Sequence, residues 1–446
     1  MDNKSEKLIR DLKLDEGRVN FSRKFNFKVL PFFTRNPERA KFKNGFNPIL
    51  GAMARSSLDL KKEYGLDDYD IDEVVESVES IDKLEQEEKQ KFLYSIFDYS
   101  HLDSFNHPHL INYYTLSEGN ESKGEIAIAE FMVDFFNLRQ NEEWKSFIRN
   151  KESNNLVEKM LIDSIRSIEI EDKKNNHYKI ITNRFEDRFE DLKFLLKNKD
   201  FALKYMSLFF AFYYFQYIIQ ASLILDRIKE ERNDDKVYPL FFTLENERIT
   251  GTRQTNKQGF NLVKETKDFT LINDNLLGYI NTLLDEKVLS FNEIIDLEEE
   301  EKNILNRNLG IVLNKYKEVT KKNEVIPNDF LNSLELFKKW LSEDVTKETR
   351  GRYYSSIEEI GNLYFLKRRG SLGKILTLRK DMIILLTAIV VKDKKMIISE
   401  VFKNFESRGV FLDRYSKEAV VALYERMGIL DKKSDSGEAK YVKPIL

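Results

Sequence analysis

Apolar residues recur at three- and four-residue spacing in Ile126 to Phe147, in Leu156 to Ile168 and in Phe330 to Trp340. That is the period of an amphipathic helix with one face toward a core. A fourth stretch has no polar face. Tyr205 to Leu225 runs 21 residues without a charge, long enough to span a bilayer. Its polar residues argue for a different setting. Ser207, Gln216, Gln220 and Ser222 lie in its interior, and Tyr205, Tyr213, Tyr214 and Tyr217 are spread along it instead of gathering at its ends. The pattern fits a helix enclosed by protein, in which Gln216 and Gln220 would each find a hydrogen-bond partner. The region from about Leu60 to Trp340 therefore reads as mainly helical around this spine. Within it, Val237 to Val263 has β-branched and aromatic clusters around Gly251 and Gly259. These predict a small hairpin or an irregular loop set among helices.

From Leu378 onward the elements shorten. Arg379 to Val391 predicts an apolar helix, with Thr377 as N-cap and Asp381 at the positive end of its dipole. Ile397-Ile398 is a short extended piece. Ser399 opens a second helix that buries Val401, Phe402 and Phe405 and stops at Gly409. Asp413 or Ser416 caps a third, which runs through Met427 with Val420, Leu423, Tyr424 and Met427 on one face. Ile429-Leu430 and Tyr441-Val442 flank the polar turn Lys432 to Lys440 and predict a hairpin. Three short helices closed by a hairpin make a winged-helix module. That shape either places a helix in the DNA major groove or docks onto another protein.

This end of the chain resembles a known family. The run Arg408 to Ser416 (RGVFLDRYS), followed by Lys433 to Val442 (KSDSGEAKYV), is similar to the end of DptG, a subunit of the restriction arm of bacterial DNA phosphorothioation systems. Two upstream stretches match more loosely: the aromatic run Phe212 to Gln220, and Glu245 to Gly259, with Glu247, Arg253 and Gly259 at family-like spacing. The resemblance implies a multi-subunit, DNA-directed defence complex whose motor is a separate ATPase subunit. It assigns no catalytic residue.

Composition bounds the rest. A chain of 446 residues and 52.9 kDa can hold two or three domains. The patterning divides it into residues 1–60, a basic, Phe-rich arm; 61–370, a mainly helical domain; and 371–446, the winged-helix-like end. Charged residues at 33% beside 41% hydrophobic, with only 7 prolines and 17 glycines, fit a soluble helical protein and oppose a turn-dense β architecture. No cysteine is present, which excludes disulfides, thiolate metal sites and a cysteine nucleophile. Met1 to Gly17 is charged and lacks the apolar core of a secretory signal, so the expected location is the cytoplasm.

The net charge of −3 conceals a segregation. Between Gly17 and Arg55 stand nine lysines and arginines against one acid, Glu38, interleaved with seven phenylalanines. Lys61 to Tyr99 is acidic, and from Ser371 onward 15 basic residues face 10 acidic ones. Basic ends and an acidic middle suit a protein that touches nucleic acid with one surface and partners with another. In the arm, the phenylalanines could stack on unpaired bases. The more economical reading is that they anchor an extended arm on a core, because phenylalanine is usually buried; Pro31, Pro37, Pro48, Gly45 and Gly51 oppose a long helix there.

The candidate nucleic-acid contacts lie toward the C-terminal end. Arg350 and Arg352 sit in one basic stretch. Lys367, Arg368, Arg369 and Lys374 form a flexible basic loop, and Arg414, Lys417, Arg426, Lys432 and Lys433 belong to the third helix and the hairpin. The segment Gly370 to Ile375 lacks the glycine spacing and hydroxyl of a P-loop. Lys417 and Arg426 share their helix with Glu418 and Glu425, a mixed face poor for reading bases. Glu247, Arg253 and Lys257 read as a functional cluster or, by default, a structural ion pair.

Signals for an enzyme are weak. His101, His107 and His109 with Asp103 could ligate a metal, but Pro108 and polar neighbours suggest an ordinary loop. Asp163 with Glu171-Asp172-Lys173 matches a two-metal nuclease on paper, although Leu156 to Ile168 has helical rather than strand periodicity. The expected protein is mainly α, a multi-helix domain with a C-terminal winged helix, without cofactor or metal and outside the membrane. It would act as a non-catalytic subunit that contacts DNA and other restriction subunits; a metal-dependent nuclease and a pure docking scaffold are the alternatives.

Overall fold

The computed structural model describes residues 3–21, 28–61, 107–155, 158–159, 162, 165, 167–171, 178–182, 185–226, 237–284, 288–432 and 440–446. They are mainly helical. The chain begins with α1 (Asn3–Asp11), α2 (Asn47–Ser57), α3 (Glu121–Phe135), α4 (Glu142–Arg149), α5 (Asp187–Leu196) and the 28-residue α6 (Lys199–Asp226). A strand, β1 (Phe241–Leu244), is followed by the short α7 (Gln254–Lys257) and α8 (Phe260–Glu265). Then come α9 (Thr270–Leu283), α10 (Phe291–Ile295), α11 (Glu299–Thr320), α12 (Phe330–Asp344), α13 (Lys347–Arg350) and α14 (Arg352–Tyr364). The C-terminal part adds β2 (Leu366–Arg368), β3 (Lys374–Leu378), α15 (Lys380–Val391), β4 (Met396–Ile397), α16 (Ile398–Ser407), β5 (Phe411–Leu412), α17 (Arg414–Arg426), β6 (Leu430–Lys432) and β7 (Lys440–Val442).

The uncharged stretch forms most of α6. Among the described residues it is the one helix long and apolar enough to cross a membrane, and its apolar window is 89% buried inside the fold. Helices α5, α9, α14 and α15 pack around it. Its rings interlock with those of α3 and its neighbourhood: Phe131 lies 4.6 Å from Tyr217, and Phe136 meets Phe210 and Tyr213 edge-on at 5.0 and 5.5 Å. Such edge-to-face pairs each add about 0.5–1.5 kcal/mol beyond the area they bury. Gln220 is enclosed and satisfied: its amide accepts from Tyr238 N (2.9 Å) and donates to Tyr238 O (3.0 Å). Gln216 departs from expectation. It is enclosed, but neither its Oε1 nor its Nε2 has a hydrogen-bond partner.

Gly409 explains the space around Gln216. It holds φ +81° at the end of α16, and a Cβ built there would lie 2.5 Å from Gln216 Oε1. Only a residue without a side chain fits both the backbone and the neighbour. Gly409→Ala should therefore lower the unfolding free energy by about 2 kcal/mol, measured by urea titration; an unchanged midpoint would show that the turn relaxes freely.

The amino-terminal segment is more regular than an extended arm. α1 packs through Leu8 against α9 and α11, and α2 spans Asn47 to Ser57 with Pro48 at its start, where the missing N–H costs nothing. Gly51, expected to interrupt a helix, lies inside α2, where a Cβ would come 2.6 Å from Tyr114 O. Phe42 and Phe46 are in the core, and Phe32 meets Tyr353 edge-on at 5.4 Å; Phe25 and Phe27 lie outside the described residues. Arg55, counted among the basic residues, is fully buried and donates to the carbonyls of Asn112 and Tyr114, each at 2.8 Å.

Strand content is greater than the sequence suggests. β1 is the centre of a four-stranded sheet ordered β2-β3-β1-β5. It runs parallel to β3 (Thr243 opposite Thr377) and to β5 (Phe241 opposite Phe411). Thr377, expected to cap α15, belongs to β3, and Arg379 occupies the N-cap position. The basic loop is a hairpin: β2 and β3 pair antiparallel, with Arg368 opposite Lys374, across a short 3₁₀ turn at Gly370–Leu372. A second sheet, β4-β7-β6, is wholly antiparallel, so the terminal hairpin gains a third strand. Asp413 caps α17, accepting from Ser416 N at 3.0 Å.

Candidate subunit and nucleic-acid interface

Two buried arginines tie the C-terminal elements to the helical body. Arg408, in the turn after α16, donates from Nε and Nη2 to Asp191 on α5 (2.6 and 2.8 Å), and from Nη1 to Asn404 O (2.9 Å). Tyr213 of α6 donates to the same carboxylate at 2.6 Å. Burial, with Asp191 beside it, drives the Tyr213 hydroxyl well above its ordinary pKa. Arg253 is the second. It donates to Asp413 through Nε (2.9 Å) and Nη2 (2.6 Å), and Nη2 also reaches Glu247 (2.7 Å) and Ser416 Oγ (2.9 Å). Ser416 Oγ in turn donates to Glu247 at 3.0 Å. Burial pushes the Asp413 carboxyl up, but the hydrogen bonds and charge of Arg253 outweigh it and hold the group below the ordinary carboxylate range. Glu247 and Arg253 thus form a structural ion cluster, as expected by default; Lys257 lies apart from it on the exposed side of α7.

Residues distant in the chain are brought together at these two arginines. Glu247 and Arg253 from the middle stretch meet Asp413 and Ser416 from the terminal one. Gly409 packs on Gln216 and Arg408 bonds the carboxylate that Tyr213 also holds, both from the aromatic run. Gly259 is pressed to Thr255 O, which a Cβ would approach to 2.1 Å.

The sequence-predicted contacts divide by their partners. Lys367 lies 3.5 Å from Glu245 Oε1, and Arg369 donates to Glu245 O at 2.6 Å, so both hold the turn after β1. Lys374 bonds Glu358 at 2.9 Å. On α17, Arg414 pairs with Glu418 (2.9 Å) and Lys417 with Glu406 (3.0 Å). Arg350 is half-buried with its Nε unpartnered, while Arg352, Arg368 and Arg426 are exposed. Lys432 ends β6, and Lys433 lies outside the described residues. A groove of about 680 Å³ runs beside α17, lined by Phe241, Phe411, Val421 and Ala422. Its charged lining is Arg414, Lys417 and Lys440 against Glu406, Asp413, Glu418 and Glu425, three cations to four carboxylates. The groove therefore carries no excess of positive charge.

His107 Nδ1 accepts from His109 N at 3.2 Å, its Nε2 lies 3.0 Å from Glu152 O, and His109 Nδ1 lies 3.4 Å from Ile148 O. Burial lowers the pKa of His109 to about 4, and both rings serve the local backbone. His101, Asp103, Asp163, Asp172 and Lys173 lie outside the described residues. Among the described residues no group of three His, Cys, Asp or Glu could hold a metal ion.

No protein-family model matches the chain, and no curated protein matches it.

Proposed function

We propose that this chain is a cytoplasmic, non-catalytic subunit of a phosphorothioation-dependent DNA restriction complex, related to DptG, working beside a separate ATPase subunit. Its C-terminal unit is a winged helix: α15, α16 and α17 followed by the β6–β7 wing, with β4 completing the small sheet. The observation that carries the reading is that each of the two upstream stretches of family likeness meets the terminal one at its own buried contact, Arg253 with Asp413 and Tyr213 with Arg408 through Asp191, so that the terminal elements are fixed to the helical body by a junction of two clusters. Such a junction sets the angle at which α17 and its groove are presented, which an assembly subunit requires and a freely swinging reader does not. The near-balanced charge of the groove favours a protein partner over DNA on that face. Contact with DNA is then the task of the exposed cations away from it, Arg352 and Arg368 among them.

Co-purification tests this. The complex recovered with this chain should bind DNA, phosphorothioated or plain, more tightly than the complex recovered without it. Ala422 is exposed in the groove, and Ala422→Arg should break co-purification with the other subunits while the thermal melt of the isolated chain stays the same. Full recovery of the complex with Ala422→Arg would remove α17 from the interface.

A further inference from the structure

A second cleft, of about 620 Å³, lies between the β2–β3 hairpin, α8 and α14. Its charge is opposite in character to the groove. Lys264, Arg368 and Lys374 line it against a single carboxylate, Glu358, which leaves an excess of two positive charges. Glu358 is already engaged by Lys374 at 2.9 Å. Lys264 and Arg368 are exposed side chains from elements about a hundred residues apart and have no ion-pair partner among the described residues. Two unpaired cations brought to one concavity mark an anion site rather than a solvated charge run.

The other walls narrow the ligand. Phe260 and Tyr354 stand with ring centroids 5.7 Å apart at 33°, giving the cleft an aromatic side. Asn261 lines it too, with its Nδ2 committed to Asn256 O at 2.9 Å. The volume falls within the roughly 300–1,000 Å³ of small-ligand pockets and exceeds what a bare phosphate fills. We infer that this cleft binds a nucleoside phosphate, with Lys264 and Arg368 holding the phosphate and Tyr354 beside the base. The inference rests on the nucleic-acid reading only in that the phosphate can belong either to a free nucleotide or to a DNA strand.

Binding of dAMP, followed by calorimetry, and of a fluorescent single-stranded hexanucleotide, followed by anisotropy, tests the site in the full-length protein. Both substitutions in the variant Lys264→Ala/Arg368→Ala replace exposed side chains, so its melt should match the wild type. The site requires at least tenfold weaker binding of whichever probe the wild type holds. For the hexanucleotide, the slope of log K against log salt should flatten by about 1.4, the share of two contacts to a single strand. Tyr354→Ala should weaken binding without changing that slope. Similar affinities for dAMP and the strand assign a free nucleotide; a strand bound more than tenfold tighter assigns DNA. Failure of both probes to bind the wild type, or equal binding by wild type and the double variant, overturns the site. If the variant loses dAMP but the assembled complex holds duplex DNA as before, the cleft stands and the DNA contact lies elsewhere.

Discussion

Arg408→Ala should destabilise the protein by about 3–5 kcal/mol, the usual cost of removing one partner of a buried ion pair. The cause is what stays behind. Asp191 is fully buried, and without Arg408 it keeps the Tyr213 hydroxyl and only a distant cation, Lys392 at 3.9 Å. Asn404 O loses its guanidinium donor as well. Much of the loss is thus the desolvation of a stranded carboxylate rather than the worth of the bond. The double variant Arg408→Met/Asp191→Leu separates the two: replacing both charges by apolar groups should recover more than half of the loss, as buried pairs commonly allow. Urea titrations of the three proteins measure it. A single variant that loses less than about 1 kcal/mol would show Asp191 to be reached by water, since surface pairs contribute only that much.

The elements legible in the sequence were those whose signals are local. Gly409 ends α16 and Asp413 caps α17, and each acts on backbone within a turn of itself. Their positions could be read directly. The charge-free run of α6 announced a buried helix for the same reason. What was hidden depends on distant partners. β1 has four residues and becomes a central strand only because β3 and β5, more than a hundred residues later, lie on its two sides. That pairing also draws Thr377 into a strand and away from the cap that its hydroxyl suggested. The cleft shows the same limit. Arg368 and Lys374 stood out within a basic run, but Lys264 is one lysine among many on a short helix, and no spacing rule joins it to them. Gln216 was expected to find a partner because buried amides usually do. Its Oε1 instead lies against Gly409, where a Cβ would come within 2.5 Å of it, and the sequence could not show which atoms would face it.

Arg253→Ala should cost a similar amount, about 3–5 kcal/mol at pH 7, and its pH dependence identifies the cause. In the wild type, Arg253 holds the Asp413 carboxyl below its ordinary pKa. A depressed carboxylate contributes stability that is fully present above the unfolded-state pKa, about 3.9, and is lost as pH falls through the folded value. Without Arg253 the situation reverses. Asp413 and Glu247, both largely buried and both bonded to Ser416, would face each other with no cation between them. Burial and the facing carboxylate raise the Asp413 pKa, so the variant is penalised as pH rises through the carboxylate range and relieved as pH falls. The gap between wild type and variant should therefore be widest near neutrality and shrink below about pH 4. Arg253→Lys should rescue little, because one ammonium cannot reproduce a fork that reaches Asp413, Glu247 and Ser416 together. Stability curves from pH 3 to pH 8 decide the matter. A gap that stays constant across that range would mean that the lost packing of the guanidinium, and not the two stranded carboxylates, anchors α17 to the helical body.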